Sequence, residues 1–144
     1  MEYLYHRVPN NLVGSILYSL NQLKEMYPDI YNEHVKKYEG REKLLKVEVP
    51  TLNCLWNDVL HFTAVAPADL KANLARADTV LASVAWFKVP VSLIEGERSI
   101  VFIYRRDHSL IPNFKEYEKF DVDRMDIYRK VPEETIEYYK EMKI

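Results

Sequence analysis

Three glycines in 144 residues, standing far apart at Gly14, Gly40 and Gly96, exclude a glycine-rich phosphate cradle of the P-loop or dinucleotide type, because both need closely spaced glycines. Cysteine is scarcer still. Cys54 stands alone, which rules out an intramolecular disulfide, a Cys-rich zinc site and a secreted disulfide scaffold. Long hydrophobic runs are missing too: the densest stretch, Val80 to Ile94, is broken by Lys88 and Pro90 and falls short of the ~18 apolar residues of a membrane span. Nor does one sign of charge dominate. The 20 basic and 22 acidic residues leave a net charge of −2, whereas a general nucleic-acid binder neutralises phosphates with a basic face. The opening MEYLYHRVPNN lacks the apolar core of a signal peptide. These absences lead us to expect a cytoplasmic protein in a reducing compartment, with no membrane, no metal and no general nucleic-acid binding.

Tyrosine is abundant. Eleven of them, within an aromatic content of 12% and an apolar content of 48%, favour a folded chain over a disordered one. Tyrosine also serves ligand-contacting surfaces, which raises the expectation of a binding face. A chain of this length buries about 70% of its unfolded surface, enough for one core, and no linker or repeat interrupts it. A single domain over residues 1–144 follows.

Alternation from Glu2 to Val8 predicts a strand, with Tyr3, Tyr5 and Arg7 on one side and Leu4, His6 and Val8 on the other. Asn10 or Asn11 then caps a helix carrying Leu12, Ile16, Leu20 and Leu23, and Pro28 opens a second with the stripe Ile30, Tyr31, Val35 and Tyr38, stopped at Gly40. A short turn at Lys43 to Leu45 leads into the alternating Leu45, Val47 and Val49; Thr51 to Asp58 reads as irregular, and Val59 to Val65 as a good strand. A short helix follows Pro67. Ser83 to Ile94 is a strand broken at Pro90, and Ser99 to Tyr104 is a central one, with Glu95-Gly96-Glu97 turning between them. Asp121 to Val131 holds a further strand, and Pro132 opens a last helix with Ile136, Tyr139 and Met142 inward. The order gives an α+β fold: a largely antiparallel twisted sheet with N-terminal helices and a C-terminal helix.

Four constellations could carry chemistry. His6-Arg7 ends the first strand just before a loop, where a histidine can hold a ribose hydroxyl and an arginine a phosphate; the alternative is a half-buried strand histidine beside a solvated arginine. Asp58 and His61 would pair as base and helper on a helix but face apart on a strand. Cys54 with His61 would form a thiol–imidazole pair if the fold joins them, inert packing being the alternative. Arg105-Arg106-Asp107-His108 could grip a phosphate or simply cap a solvated hairpin. Carboxylates gather near the C-terminal strand at Glu116, Glu118, Asp121, Asp123 and Asp126.

The stretch Leu4-Tyr5-His6-Arg7-Val8, followed by Asn11-Leu12 and Ile16-Leu17, resembles the opening of the ADP-ribosyltransferase superfamily, in which a first-strand histidine precedes a loop and short helix. Val59 to Val65 with Pro67, and Val131-Pro132-Glu133-Glu134-Thr135-Ile136, are similar to later segments of these enzymes. The resemblance implies an ADP-ribosyltransferase-like fold and NAD as cofactor, transferring ADP-ribose to an acceptor. It implies that His6 contacts the NAD ribose and nicotinamide amide, with Arg7 at the ligand and Asn11 near the nicotinamide. A tyrosine in the middle of these chains stacks on the ring; Val59 to Leu93 has none, so Trp86, Phe87 or Tyr104 takes that place. The catalytic carboxylate falls to Asp126 or Glu118. The rival reading is a non-enzymatic domain that meets a protein partner through Tyr27, Tyr31, Tyr38, Tyr117, Tyr138 and Tyr139. A hydrolase built on Asp58 and His61 is a third.

Overall fold

The computed structural model describes residues 2–10, 12, 14, 16–49, 52–81, 83–94, 98–102 and 117–141. Its contacts divide the chain into two compact units, one formed by Pro9–His61 and the other by Met1–Val8 with Phe62–Ile144.

In the discontinuous unit, the alternating Tyr3–Arg7 forms strand β1. It pairs antiparallel with a second strand at Trp86–Pro90, in the register Tyr3 to Pro90, Leu4 to Val89, Tyr5 to Lys88, His6 to Phe87 and Arg7 to Trp86. Hydrogen bonds from Val8 N–H to the Ala85 carbonyl and from Val91 N–H to the Glu2 carbonyl, both 3.0 Å, extend the ribbon at its ends. Pro90 closes the strand, and a 3-10 turn at Val91–Leu93 follows, because proline cannot donate to a ladder.

The strand expected over Val59 to Val65 shrinks to a single bridge, Thr63 exchanging both backbone bonds with Tyr5. The Val65 N–H turns back onto Thr63 Oγ1 at 3.1 Å. That local bond diverts the chain from extended geometry toward the helix at Pro67–Ala75, which has proline in its first turn and Asp69 near its positive end. Asp78, at φ 54°, ends the helical run in the left-handed conformation that aspartate tolerates.

Ile100–Phe102 pairs antiparallel with Tyr117–Lys119, so the stretch expected to be central belongs, among the described residues, to a two-stranded sheet. The strand expected over Asp121 to Val131 is helical instead: a 3-10 turn at Val122–Arg124 runs into a helix at Met125–Tyr128. Asp121 caps that turn by accepting from the Asp123 N–H at 3.0 Å. Met125 and Tyr128, three residues apart, then share the inward side of the helix. The last helix, Glu133–Glu141, buries Thr135 and Ile136; Met142 lies outside the described residues. Leu4, Ala64, Val91 and Met125 form the apolar core of this unit, with Phe62, Ile94, Phe120 and Tyr128 packed around it.

In the Pro9–His61 unit the first helix begins at Leu20, later than expected, and spans Leu20–Met26. Gly14, at φ +59°, cannot continue a right-handed helix there. Ser19 and Gln22 supply the start signal as a reciprocal capping box. A second helix at Pro28–His34 passes into a 3-10 turn at Val35–Tyr38, and Gly40 at φ +80° stops it. A further 3-10 turn at Glu42–Lys46 leads into Glu48–Val49, which pairs antiparallel with Cys54–Leu55. The segment expected to be irregular therefore contributes a short strand and the 3-10 turn Trp56–Asp58.

The molecule is thus a mixture of helices and small antiparallel sheets, an α+β architecture. No helix is long and apolar enough to cross a membrane, among the described residues.

Candidate functional site

Pairing β1 with Trp86–Pro90 decides which side chains can act together. Successive residues of a strand point to opposite faces, and directly paired residues share a face. His6 therefore stands with Leu4 and Val8 on the face that holds the core, opposite Phe87; Arg7 stands on the reverse face, opposite Trp86. The aromatic residue across the ribbon from the histidine is Phe87 rather than Trp86.

The His6 ring meets the edge of Phe62, centroids 5.5 Å apart at an interplanar angle of 67°. Its Nδ1 lies 2.7 Å from the Arg7 carbonyl. A carbonyl only accepts, so Nδ1 carries the proton, which leaves Nε2 as a lone-pair acceptor whenever the ring is neutral. Arg7 is exposed. Asn11 and Tyr104, the other two residues assigned to the cofactor, lie outside the described residues, as does the Arg105 to His108 cluster.

The two candidate carboxylates differ sharply. Glu118 is engaged at both oxygens: Arg124 Nη2 donates to Oε1 at 3.0 Å, Arg124 Nε lies 2.7 Å from Oε2, and the Tyr128 hydroxyl donates to Oε2 at 3.3 Å. The bond to Glu118 and its charge raise the Arg124 pKa above its ordinary value, and burial is the largest cause raising that of Tyr128. Tyr128 also accepts from the Asp121 N–H and packs on Phe120. This cluster ties the strand Tyr117–Lys119 to the turn and helix that follow it. Asp126 is exposed in the first turn of the Met125–Tyr128 helix. His6 and Glu118 reach the same apolar core from different members of its rim, His6 through Phe62 and Glu118 through Tyr128.

The other constellations lie in the Pro9–His61 unit. Asp58 Oδ1 accepts from Asn21 and Oδ2 from the Leu55 N–H, each at 2.8 Å, and these bonds hold its carboxyl below the ordinary value. His61 places Nε2 2.8 Å from the Trp56 carbonyl and its ring 4.5 Å from the indole. Asp58 thus acts as a cap. Burial, then the Asp58 charge, pushes the Cys54 thiol up, the opposite of what activates a nucleophile. Nearby, the buried Tyr38 hydroxyl donates to Asn57 Oδ1 at 3.0 Å; burial raises its pKa, while hydrogen bonds with Trp56 and Asn57 and the Arg41 charge pull it back. Tyr38 is therefore a core residue, not part of an exposed tyrosine surface.

Among the described residues no three His, Cys, Asp or Glu side chains gather as a metal-ligand group. Sequence reasoning missed Phe62 as the ring against His6, Arg124 and Tyr128 as the partners of Glu118, and Lys88 as the residue across from Tyr5. The last was recoverable only by pairing two strands eighty residues apart. Comparisons with protein-family models, curated proteins and solved structures return no match.

Proposed function

We propose that the chain binds NAD or a related nucleotide at the end of the β1 ribbon, with His6 accepting a hydrogen bond from a ribose hydroxyl. The observation that carries the reading is the 2.7 Å contact between His6 Nδ1 and the Arg7 carbonyl. It fixes the tautomer and ring plane, leaving Nε2 as the acceptor a hydroxyl needs. Phe62 and Phe87 offer apolar and aromatic walls beside the imidazole. Arg7, last residue of the strand and on its reverse face, suits a phosphate group that rounds the strand end.

In this reading the chain is an ADP-ribosyltransferase-like domain. The support is the first-strand histidine before a loop and the Pro132-Glu133-Glu134 opening of the last helix. Transfer of ADP-ribose needs, in addition, a carboxylate to stabilise the oxocarbenium-like state. Glu118 has both oxygens committed to Arg124 and Tyr128, which leaves the exposed Asp126 for that role. Binding is accordingly the core of the proposal and transfer its extension.

Titration calorimetry with NAD and ADP-ribose tests it. The wild-type chain should bind at least one of them, and His6→Ala should weaken binding roughly 3- to 10-fold, the range of one lost neutral hydrogen bond. Absence of binding to both, or unchanged affinity in a folded His6→Ala variant, overturns the reading.

A further inference from the structure

The reverse face of the ribbon has a composition unlike the rest of the chain. The register sets Tyr3, Tyr5 and Arg7 on β1 beside Pro90, Lys88 and Trp86 on the paired strand. Three of these six side chains are aromatic, two are cationic and none is acidic. Arg7 and Lys88 are exposed, and Tyr3, Tyr5 and Trp86 are half-buried. Lys88 Nζ lies 4.1 Å from the centre of the Tyr3 ring, which is cation–π distance. Neither Arg7 nor Lys88 has an acidic partner among the described residues.

We infer that this face binds single-stranded nucleic acid, stacking bases on Tyr5 and Trp86 while Arg7 and Lys88, the latter resting on the Tyr3 ring, meet the phosphates. Same-face positions on a strand repeat every ~6.6 Å, and paired strands lie ~5 Å apart, so the rings form a grid on which successive bases of an extended strand can lie. Stacking on aromatic side chains combined with cations along the backbone is how sequence-tolerant single-strand binders work. The net charge of −2 excludes phosphate binding over the whole surface, not over one ribbon face whose own charge is +2. A protein partner is disfavoured here because Lys88 at the middle of the patch and Arg7 at its end, neither with an acidic partner among the described residues, would have to be desolvated. The inference shares Arg7 with the nucleotide reading and is otherwise separate from it, since His6 points to the other face and the variants that test it are at Tyr5, Trp86 and Lys88.

Fluorescence anisotropy with end-labelled dT12, rU12 and a blunt 12-base-pair duplex, in about 50 mM salt, provides the test. Both single strands should bind saturably and more tightly than the duplex. Tyr5→Ala and Trp86→Ala should each weaken binding roughly 5-fold or more, the low end for loss of a stacking ring. Lys88 is exposed, so Lys88→Gln keeps the fold. It should weaken binding and reduce the slope of log K against log salt by about 0.7, the value for one phosphate on a single strand. His6→Ala should bind the single strands as the wild type does. No single-strand binding, equal affinity for the duplex, or a folded Lys88→Gln variant with unchanged affinity and salt slope overturns the inference.

Discussion

The two compact units meet the same demand, burying enough of a short chain to stay folded, by different means. The unit of Met1–Val8 and Phe62–Ile144 packs Leu4, Ala64, Val91 and Met125 into an apolar cluster rimmed by aromatic rings. Within Pro9–His61, buried positions include Ser19, Asn57 and the hydroxyl-bearing Tyr38 beside Leu44 and Val49. Its order comes from capping and side-chain hydrogen bonds: the Ser19–Gln22 box, Asn21 and the Leu55 N–H on Asp58, Tyr38 on Asn57. Apolar packing tolerates imprecise direction but not lost volume. A buried polar set is the reverse, tolerating small volume changes but not a lost partner.

Substitutions that separate volume from partner should therefore affect the two units differently. The largest effect is expected at Met125, 2% exposed: Met125→Ala should cost about 2–5 kcal/mol in a urea titration, as cavity-forming changes do. Tyr38→Phe changes volume little but leaves a buried Asn57 oxygen without its donor, and should cost about 1–3 kcal/mol in the same titration. Equal tolerance of Tyr38→Phe and a surface change would erase the contrast.

A third effect depends on pH. Asp58 has its folded pKa lowered, first by Asn21 and then by the Leu55 N–H. A carboxyl with a depressed folded pKa stabilises the fold above its unfolded value, near 3.8, and that contribution disappears as pH falls through the lower folded value. Asn21→Ala should lower stability slightly at neutral pH, the loss kept small because Asp58 is exposed and solvent screens the interaction, leave it unchanged below the folded pKa, and so flatten the acid limb of stability against pH. The smallest effect is expected at the exposed pair Arg76–Glu133, 2.9 Å apart. Arg76→Ala should move thermal stability by no more than about 0.5 kcal/mol.

Much of the fold was legible in the sequence where one local signal had no competitor. Alternation in Tyr3 to Arg7, proline at the first turn of two helices and just before a third, and the Gly40 stop all produced the elements they imply. Misreadings arose where a polar side chain redirected the backbone. Thr63 capped Val65 and ended a strand that β-branched residues favoured; Asp121 capped Asp123 and turned an apparent strand into helix. The candidate site was legible in part. His6 stands on the strand and face that alternation gives it. Alternation already separated His6 from Arg7; strand pairing resolved what one-dimensional reading could not, joining His6 to Phe87 across the ribbon. The engagement of Glu118 by Arg124 and Tyr128 depends on a turn that the sequence disguised as a strand.

The central claim is that His6 presents Nε2 as an acceptor to a ribose hydroxyl. Long-range proton–nitrogen NMR of the imidazoles, with the His6 signal assigned by its loss in His6→Gln, reads this directly. At neutral pH the free protein should show His6 protonated at Nδ1, and saturating ADP-ribose should shift Nε2 while leaving the tautomer unchanged. A ring protonated at Nε2, or an Nε2 signal unmoved by saturating ADP-ribose, would contradict the account.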